Sequence, residues 1–77
     1  MELFNIENSK EFFNVVNECT GKVELVRKDG THLNLNSKLT QNILSIEEKF
    51  DDLKLAVHDH ADVMRLLSYA MGTRYVA

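Results

Sequence analysis

The architecture of this chain is readable in residues 22–55, KVELVRKDGTHLNLNSKLTQNILSIEEKFDDLKL. Apolar and polar residues alternate on both sides of Asp29-Gly30, a pair typical of a tight hairpin turn. Asn36 and Ser37 then offer side-chain oxygens that favour a helix start. The segment therefore predicts an antiparallel hairpin, a second helix and a further strand. Residues 50–52 should form the loop before that strand, and the inward side chains should be Val23, Leu25, Leu33, Leu35, Leu53, Leu55 and Val57.

The second helix should begin after Ser37 and end near Glu48. Its polar residues, such as Gln41, should face water, because the apolar residues recur at helical spacing on another face. Any apolar residue that protrudes would join Ser37 in a docking patch. The stripe expected to pack mostly on the core comprises Leu39, Ile43, Leu44 and Ile46.

The flanking residues complete the order of elements. Residues 3–6 predict a short edge strand with Phe4 and Ile6 on one face. Asn8 and Glu11 form a pair like a capping box, which starts a first helix that Gly21 should terminate. The inward face of that helix should carry Phe12, Phe13, Val16 and Cys19.

A last helix should begin at Asp59 or His60 and end at Gly72, followed by a tail over residues 73–77 that Tyr75 and Val76 pin down. Its inward face should carry Val63, Met64, Leu67, Ala70 and Met71. Residues 1–77 are therefore predicted to form one α+β domain of order βαββαβα. We expect a two-layer open-faced sandwich, in which helices cover one face of an antiparallel sheet.

Composition excludes several classes of partner. The chain has 77 residues, 44% of them apolar and 27% charged, with a net charge of −3 and dispersed basic residues, so no footprint for nucleic acid is expected. No apolar run approaches the roughly 20 residues that span a bilayer, and the start lacks a basic leader. We expect a cytoplasmic protein without membrane association, in which the single Cys19 is structural.

The stretch Gly30-Thr31-His32-Leu33-Asn34-Leu35-Asn36-Ser37, with residues 39–46 after it, resembles the histidine-containing phosphocarrier (HPr) family of the bacterial phosphotransferase system. It is similar to that family's third strand, regulatory serine and second helix. The resemblance implies the βαββαβα fold and makes Ser37 a site of regulatory phosphorylation by a dedicated kinase. In that family the phosphorylated protein binds a transcriptional regulator of carbon use.

The chain differs from this family in the loop where the family accepts a phosphoryl group. The family carries a phosphoryl-accepting His in a Gly-x-His-x-Arg-Pro loop before the first helix, whereas residues 7–11 read ENSKE. The helix start at Ser9 and Lys10 could hold an anion, but no imidazole is present there to accept a phosphoryl group. We therefore predict no enzymatic activity and no cofactor.

The three histidines offer no clear replacement. His32 should be a solvated strand residue. His58 and His60 bracket Asp59, and a divalent-metal site can be drawn around them with Asp62. Because entry into the last helix would turn His60 away from His58, capping and solvation are the preferred roles, and no metal is predicted.

The sequence thus predicts a non-catalytic, HPr-like regulatory or adaptor module. Its protein partner would be a component of the phosphotransferase system or a transcriptional regulator, bound through Lys38, Leu39 and Ile43 under the control of Ser37. From the residues alone, helix capping is the preferred role of Ser37. The family usually has an apolar residue where this chain has Lys38. Two alternatives stay open: an active phosphocarrier that uses a displaced His, and a generic interaction domain of unrelated function. A short edge strand permits a monomer or a weak homodimer.

Overall fold

A computed structural model describes residues 1–71 of the chain, which form four strands and three helices in the order βαββαβα. This confirms an α+β domain with an antiparallel sheet. The predictions for Gly72, Tyr75, Val76 and the rest of the tail lie outside the described residues. No helix within residues 1–71 is both long enough and apolar enough to cross a bilayer. The elements are β1 (Glu2–Ile6), α1 (Ser9–Glu18), β2 (Val23–Val26), β3 (His32–Asn34), α2 (Lys38–Leu44), β4 (Phe50–Val57) and α3 (His60–Ala70).

The sheet has the strand order β1-β4-β2-β3, and every neighbouring pair is antiparallel. Leu53 of β4 lies opposite Leu3 of β1, so the predicted edge strand is present. The expected loop at residues 50–52 is wrong, because Phe50 and Asp52 pair with β1 and extend β4. The hairpin turn is confirmed, and Gly30 there adopts a φ of 87°, a conformation that glycine adopts without steric cost.

The prediction that Phe4 and Ile6 share a face is wrong. Ile6 is buried together with Leu3, whereas Phe4 is 61% exposed on the opposite face of the sheet. Asn5 between them has a φ of 56°, a left-handed conformation that Asn tolerates better than most residues and that interrupts the strict alternation of a strand. The core therefore receives Leu3 and Ile6 from β1.

The core lies between one face of the sheet and the helices α1 and α3. Three ring pairs join Phe12 to Phe13, Phe50 and Tyr69, with centroids 5.4 to 6.3 Å apart, within the range that aromatic pairs favour. The expected burial of Phe12, Phe13 and Val16 is confirmed. The buried apolar residues are Leu3, Ile6, Phe12, Phe13, Val15, Val16, Val23, Leu35, Phe50, Leu53, Leu55 and Leu66.

The prediction for α2 is wrong in its buried face and in its length. Its most buried residue is Gln41, whose Nε2 donates to the carbonyl of Leu35 and to Oδ1 of Asn17 on α1, both at 2.8 Å. A polar contact therefore orients the helix and turns most of the apolar stripe outward. The helix ends at Leu44, which alone of the stripe is partly packed on the core, and the exposed residues are Leu39, Ile43 and Ile46.

The inward face predicted for α3 is also wrong, although Asp59 caps the helix and His60 begins it as expected. Asp62 and Leu66 are fully buried, and Tyr69 packs partly against the core. The helix is rotated because the Asp62 carboxylate contacts the connection between α1 and β2. This rotation leaves Val63 only half-buried and exposes Met64, Leu67, Ala70 and Met71.

The Asp62 carboxylate accepts two hydrogen bonds from that connection and a third from Arg65 on its own helix. The backbone N–H groups of Thr20 and Gly21 donate to its two oxygens at 2.9 and 2.7 Å, and Arg65 donates at 2.9 Å. Burial alone would raise the pKa of this carboxyl, but these donors outweigh burial, and its pKa lies below the ordinary value. The carboxylate is therefore charged and paired inside the fold.

The role predicted for Gly21 is wrong, because α1 already ends at Glu18 and Cys19 is extended. Gly21 is instead a point of close approach between the α1–β2 connection and α3. A Cβ atom built on Gly21 would lie 3.1 Å from Cβ of Asp59 and 3.2 Å from Oδ2 of Asp62. Glycine therefore brings the N–H group of residue 21 within reach of the buried carboxylate.

Substituting Phe12→Ala should lower the free energy of unfolding by about 3–5 kcal/mol, because it opens a cavity under three aromatic rings. The control is Phe4→Ala, the same truncation at an exposed ring, which should change it by no more than about 0.5 kcal/mol. Urea denaturation followed by circular dichroism measures both. Equal losses would contradict the described orientation of β1.

Substituting Asp62→Asn should lower the melting temperature at pH 7, because an amide nitrogen cannot accept a bond from Thr20 or Gly21. Because its pKa is lowered in the folded state, the carboxylate contributes its full stabilisation at pH values above the pKa of an Asp side chain in the unfolded chain, about 3.9. That stability is lost as the pH falls through the folded-state pKa. Melting curves recorded between pH 7 and 2 should therefore show a smaller decrease in melting temperature on acidification for D62N than for the wild type. The exposed control Asp51→Asn should behave like the wild type.

Candidate functional site

Ser37 lies at the N-cap of α2, as predicted. Its backbone is extended, with φ −76° and ψ 127°, and its Oγ accepts a long 3.5 Å bond from the N–H group of Thr40. The side chain is half-buried, and Lys38 beside it is exposed. The hydroxyl therefore has a weak local partner and lies next to a positive charge.

The exposed face of α2 continues from Ser37 as a row of apolar side chains. Leu39, Ile43 and Ile46 are 70%, 60% and 83% exposed. Leu39 and Ile43 lie on the side of the helix opposite the buried Gln41, and Ile46 lies in the turn just after the helix ends. Glu47 follows the last of them. The structure thus brings the predicted binding residues Lys38, Leu39 and Ile43 together on one short helix, and we call the row of Leu39, Ile43 and Ile46 the α2 apolar row.

The amino end of α1 offers few free donors. The N–H group of Ser9 donates to the carbonyl of Glu48 at 2.8 Å, and that of Glu11 donates to Oδ1 of the N-cap Asn8 at 3.0 Å. Ser9 is buried, whereas Lys10 is exposed. Because these amides already have partners, the anion site predicted at Ser9 and Lys10 has little backbone support and stays a prediction.

Two of the histidines contact one carboxylate on the open face of the sheet. Nδ1 of His32 and Nε2 of His58 lie 3.3 and 3.2 Å from the same Oε1 of Glu24. The pKa of Glu24 is lowered, first by the hydrogen bond from His58 and then by that from His32. His60 is exposed at the start of α3. Among residues 1–71, no three His, Cys, Asp or Glu side chains are arranged to hold a metal ion.

The histidines are also far from where a phosphocarrier would need one. Two cavities border the amino end of α1, and no histidine of the described chain lines either of them. The start of α3, with His60, instead lies at the other end of α1, where Asp59 and Asp62 contact Thr20. A helix of ten residues separates these ends by about 15 Å.

Cys19 is a weak nucleophile in this setting. Burial and, to a smaller extent, the nearby Asp62 carboxylate raise its pKa to about 11, and its Sγ lies 3.5 Å from the carbonyl of Val15. Thiolates rather than thiols attack electrophiles, so almost no reactive form exists at neutral pH. This agrees with the structural role predicted for Cys19.

A polar groove lies between α1 and α2, with a volume of about 530 Å³. Five of its eleven lining residues carry carboxamide side chains. They were missed because Gln41 was expected to face water and the Asn residues of α1 carry no motif. Only the contact between the two helices brings them together. The amides are those of Asn8, Asn14, Asn17, Gln41 and Asn42.

Alkylation of Cys19 by iodoacetamide at pH 8 should be roughly 100-fold slower than that of a free cysteine, because a pKa near 11 leaves about 0.1% thiolate. The rate should rise steeply towards pH 11. Glutathione is the reference thiol, and mass spectrometry of the intact protein gives the rate. A rate equal to that of glutathione at pH 8 would contradict the raised pKa.

Comparisons with known proteins give no relative for this chain. No protein-family model matches it, and neither a curated protein nor a solved structure matches it significantly. The resemblance to the HPr family therefore stands on the sequence stretch that ends at Ser37.

Proposed function

We propose that this domain is a non-catalytic protein-binding module of HPr-like type, which docks a partner on the α2 apolar row and is regulated at Ser37. The observation that carries the proposal is the row itself. Leu39 and Ile43 are exposed on one face of α2, and Ile46 is exposed in the turn after it, although the rest of the domain has a well-packed core. Contiguous exposed apolar side chains mark interaction surfaces more often than chance.

The charges around the row suggest the chemistry of the partner. Lys38 precedes Leu39 at one end, and Glu47 follows Ile46 at the other. A complementary surface would be apolar in its centre, with an acidic group to meet Lys38 and a basic group to meet Glu47. A component of the phosphotransferase system or a transcriptional regulator is the partner that the HPr resemblance implies.

The order of elements and the antiparallel sheet are compatible with the HPr-like two-layer sandwich, in which helices cover one face of the sheet. In support, the exposed groups Glu2, Phe4, Lys54 and His32 belong to the face opposite the core. Ser37 caps α2, as the regulatory serine of that family should. A phosphate on Ser37 would add nearly two negative charges beside Lys38 and change the charge at one end of the row.

The active phosphocarrier is the less favoured alternative. Phosphoryl transfer to an imidazole needs that ring to be presented in line with the donor, with groups that hold the phosphate. The amino end of α1 has no histidine in the cavities that border it, and Glu7, Glu11 and Glu48 lie around it. The other alternative, a generic interaction domain, would bind its partner through the same apolar row but would not be regulated at Ser37.

Substituting Ile43→Lys should weaken binding to the regulator of carbon use at least about 10-fold, because a charge would be buried at the centre of the contact. The probe is that regulator with the protein phosphorylated on Ser37, and fluorescence anisotropy gives the Kd. The matched control is Met71→Lys, which alters an exposed side chain at the C-cap of α3 and should leave the Kd unchanged. Equal weakening by both variants would contradict docking on α2.

The site of modification is tested by two parallel incubations. One contains phosphoenolpyruvate and the first enzyme of the phosphotransferase system, and the other contains the serine kinase and ATP. Mass spectrometry should locate phosphate on Ser37 in the second tube only, and the S37A variant should remain unlabelled. Acid-labile phosphate on a histidine would overturn the proposal in favour of a carrier, and no label in either tube would remove Ser37 from it.

A further inference from the structure

The groove between α1 and α2 is distinct from the α2 apolar row and has a lining suited to a different ligand. We propose that it binds a neutral polyhydroxylated small molecule, such as a sugar or a sugar alcohol, through the carboxamides of Asn14, Asn17, Gln41 and Asn42. The inference does not depend on the proposed docking function, because α2 presents different residues to the groove and to the exposed row.

The floor of the groove is a pair of amides with determined orientations. The carbonyl of Leu35 only accepts hydrogen bonds, so Gln41, which is 9% exposed, must turn its Nε2 towards it at 2.8 Å. The second hydrogen on Nε2 then requires an oxygen at 2.8 Å, which makes the facing atom of Asn17 its Oδ1. These two bonds leave Oε1 of Gln41 and Nδ2 of Asn17 for other partners.

Several amide atoms of the groove have no partner in the protein. Within residues 1–71, no hydrogen bond from another protein group reaches Oε1 of Gln41, Nδ2 of Asn17 or the side-chain amides of Asn14 and Asn42. Gln41 is buried, and no buried side-chain nitrogen or oxygen of a non-exposed residue in that range lacks a partner, so its Oε1 must reach solvent. Asn14, Asn17 and Asn42 are exposed residues that line the groove. A ligand would meet donors and acceptors side by side, and the amides that carry them are partly held in place before the ligand binds.

This chemistry favours hydroxyl groups over other ligands. Each hydroxyl both donates and accepts, so neighbouring hydroxyls can satisfy an adjacent amide donor and acceptor. A strong anion would meet Glu7 and Glu48 with only Lys10 in compensation, and the one aromatic residue of the lining, Phe13, is almost buried. The volume of about 530 Å³ lies in the range of small-molecule sites.

Heteronuclear NMR titration tests the site with glucose, mannitol and myo-inositol as probes. At least one of them should shift the side-chain NH₂ signals of Asn17 and Gln41 saturably, with a Kd on the order of 1–10 mM. The double variant Asn14→Ala with Asn42→Ala should weaken that binding about 10-fold or more. Both side chains are exposed and make no hydrogen bond in the described chain, so the variant should keep its fold.

The control variant is Lys28→Ala, an exposed substitution in the hairpin loop outside the groove, which should bind as the wild type does. Two further probes define the ligand chemistry: sodium phosphate and N-methylacetamide, which mimics a peptide group. The absence of saturable shifts with all three polyols, equal binding by the double variant, or preferential binding of phosphate or N-methylacetamide would each overturn the inference.

Discussion

The buried carboxylate of Asp62 is the constraint on which the arrangement of the helices depends. It accepts hydrogen bonds from the backbone of Thr20 and Gly21, which lie about 40 residues earlier in the chain, and it is paired with Arg65 on its own helix. A fully buried charge without these partners would destabilise the fold strongly. The contact therefore determines the rotation of α3 and the close approach at Gly21. It also places the start of α3 beside the carboxyl end of α1.

A second polar contact determines the rotation of α2. Gln41 donates to Leu35 and Asn17, and a seven-residue helix has only one side on which such a contact can form. Most of its apolar residues consequently face outward, with Leu44 partly packed on the core, and its amides lie in a groove against α1. The two surfaces to which we assign binding therefore have one structural origin, which is a buried amide in place of a buried Leu or Ile.

Several reactive groups of the described chain are engaged in contacts within the fold. The Cys19 thiol has a raised pKa, His32 and His58 share the Glu24 carboxylate, and the first amides of α1 donate to Asn8 and Glu48. The proposed recognition function is consistent with these contacts and with residues 7–11, which contain no histidine.

The sequence alone determined the local features: the hairpin turn at Gly30, the caps at Asn8, Ser37 and Asp59, and the alternation of β2 and β4. These depend on a few neighbouring residues, so a short pattern contains the information. Tertiary structure decided which faces are buried wherever a polar side chain found a distant partner, as Gln41 and Asp62 did. Helical periodicity assigns polar residues to solvent, and only the folded chain supplies the carbonyl or amide that makes their burial favourable.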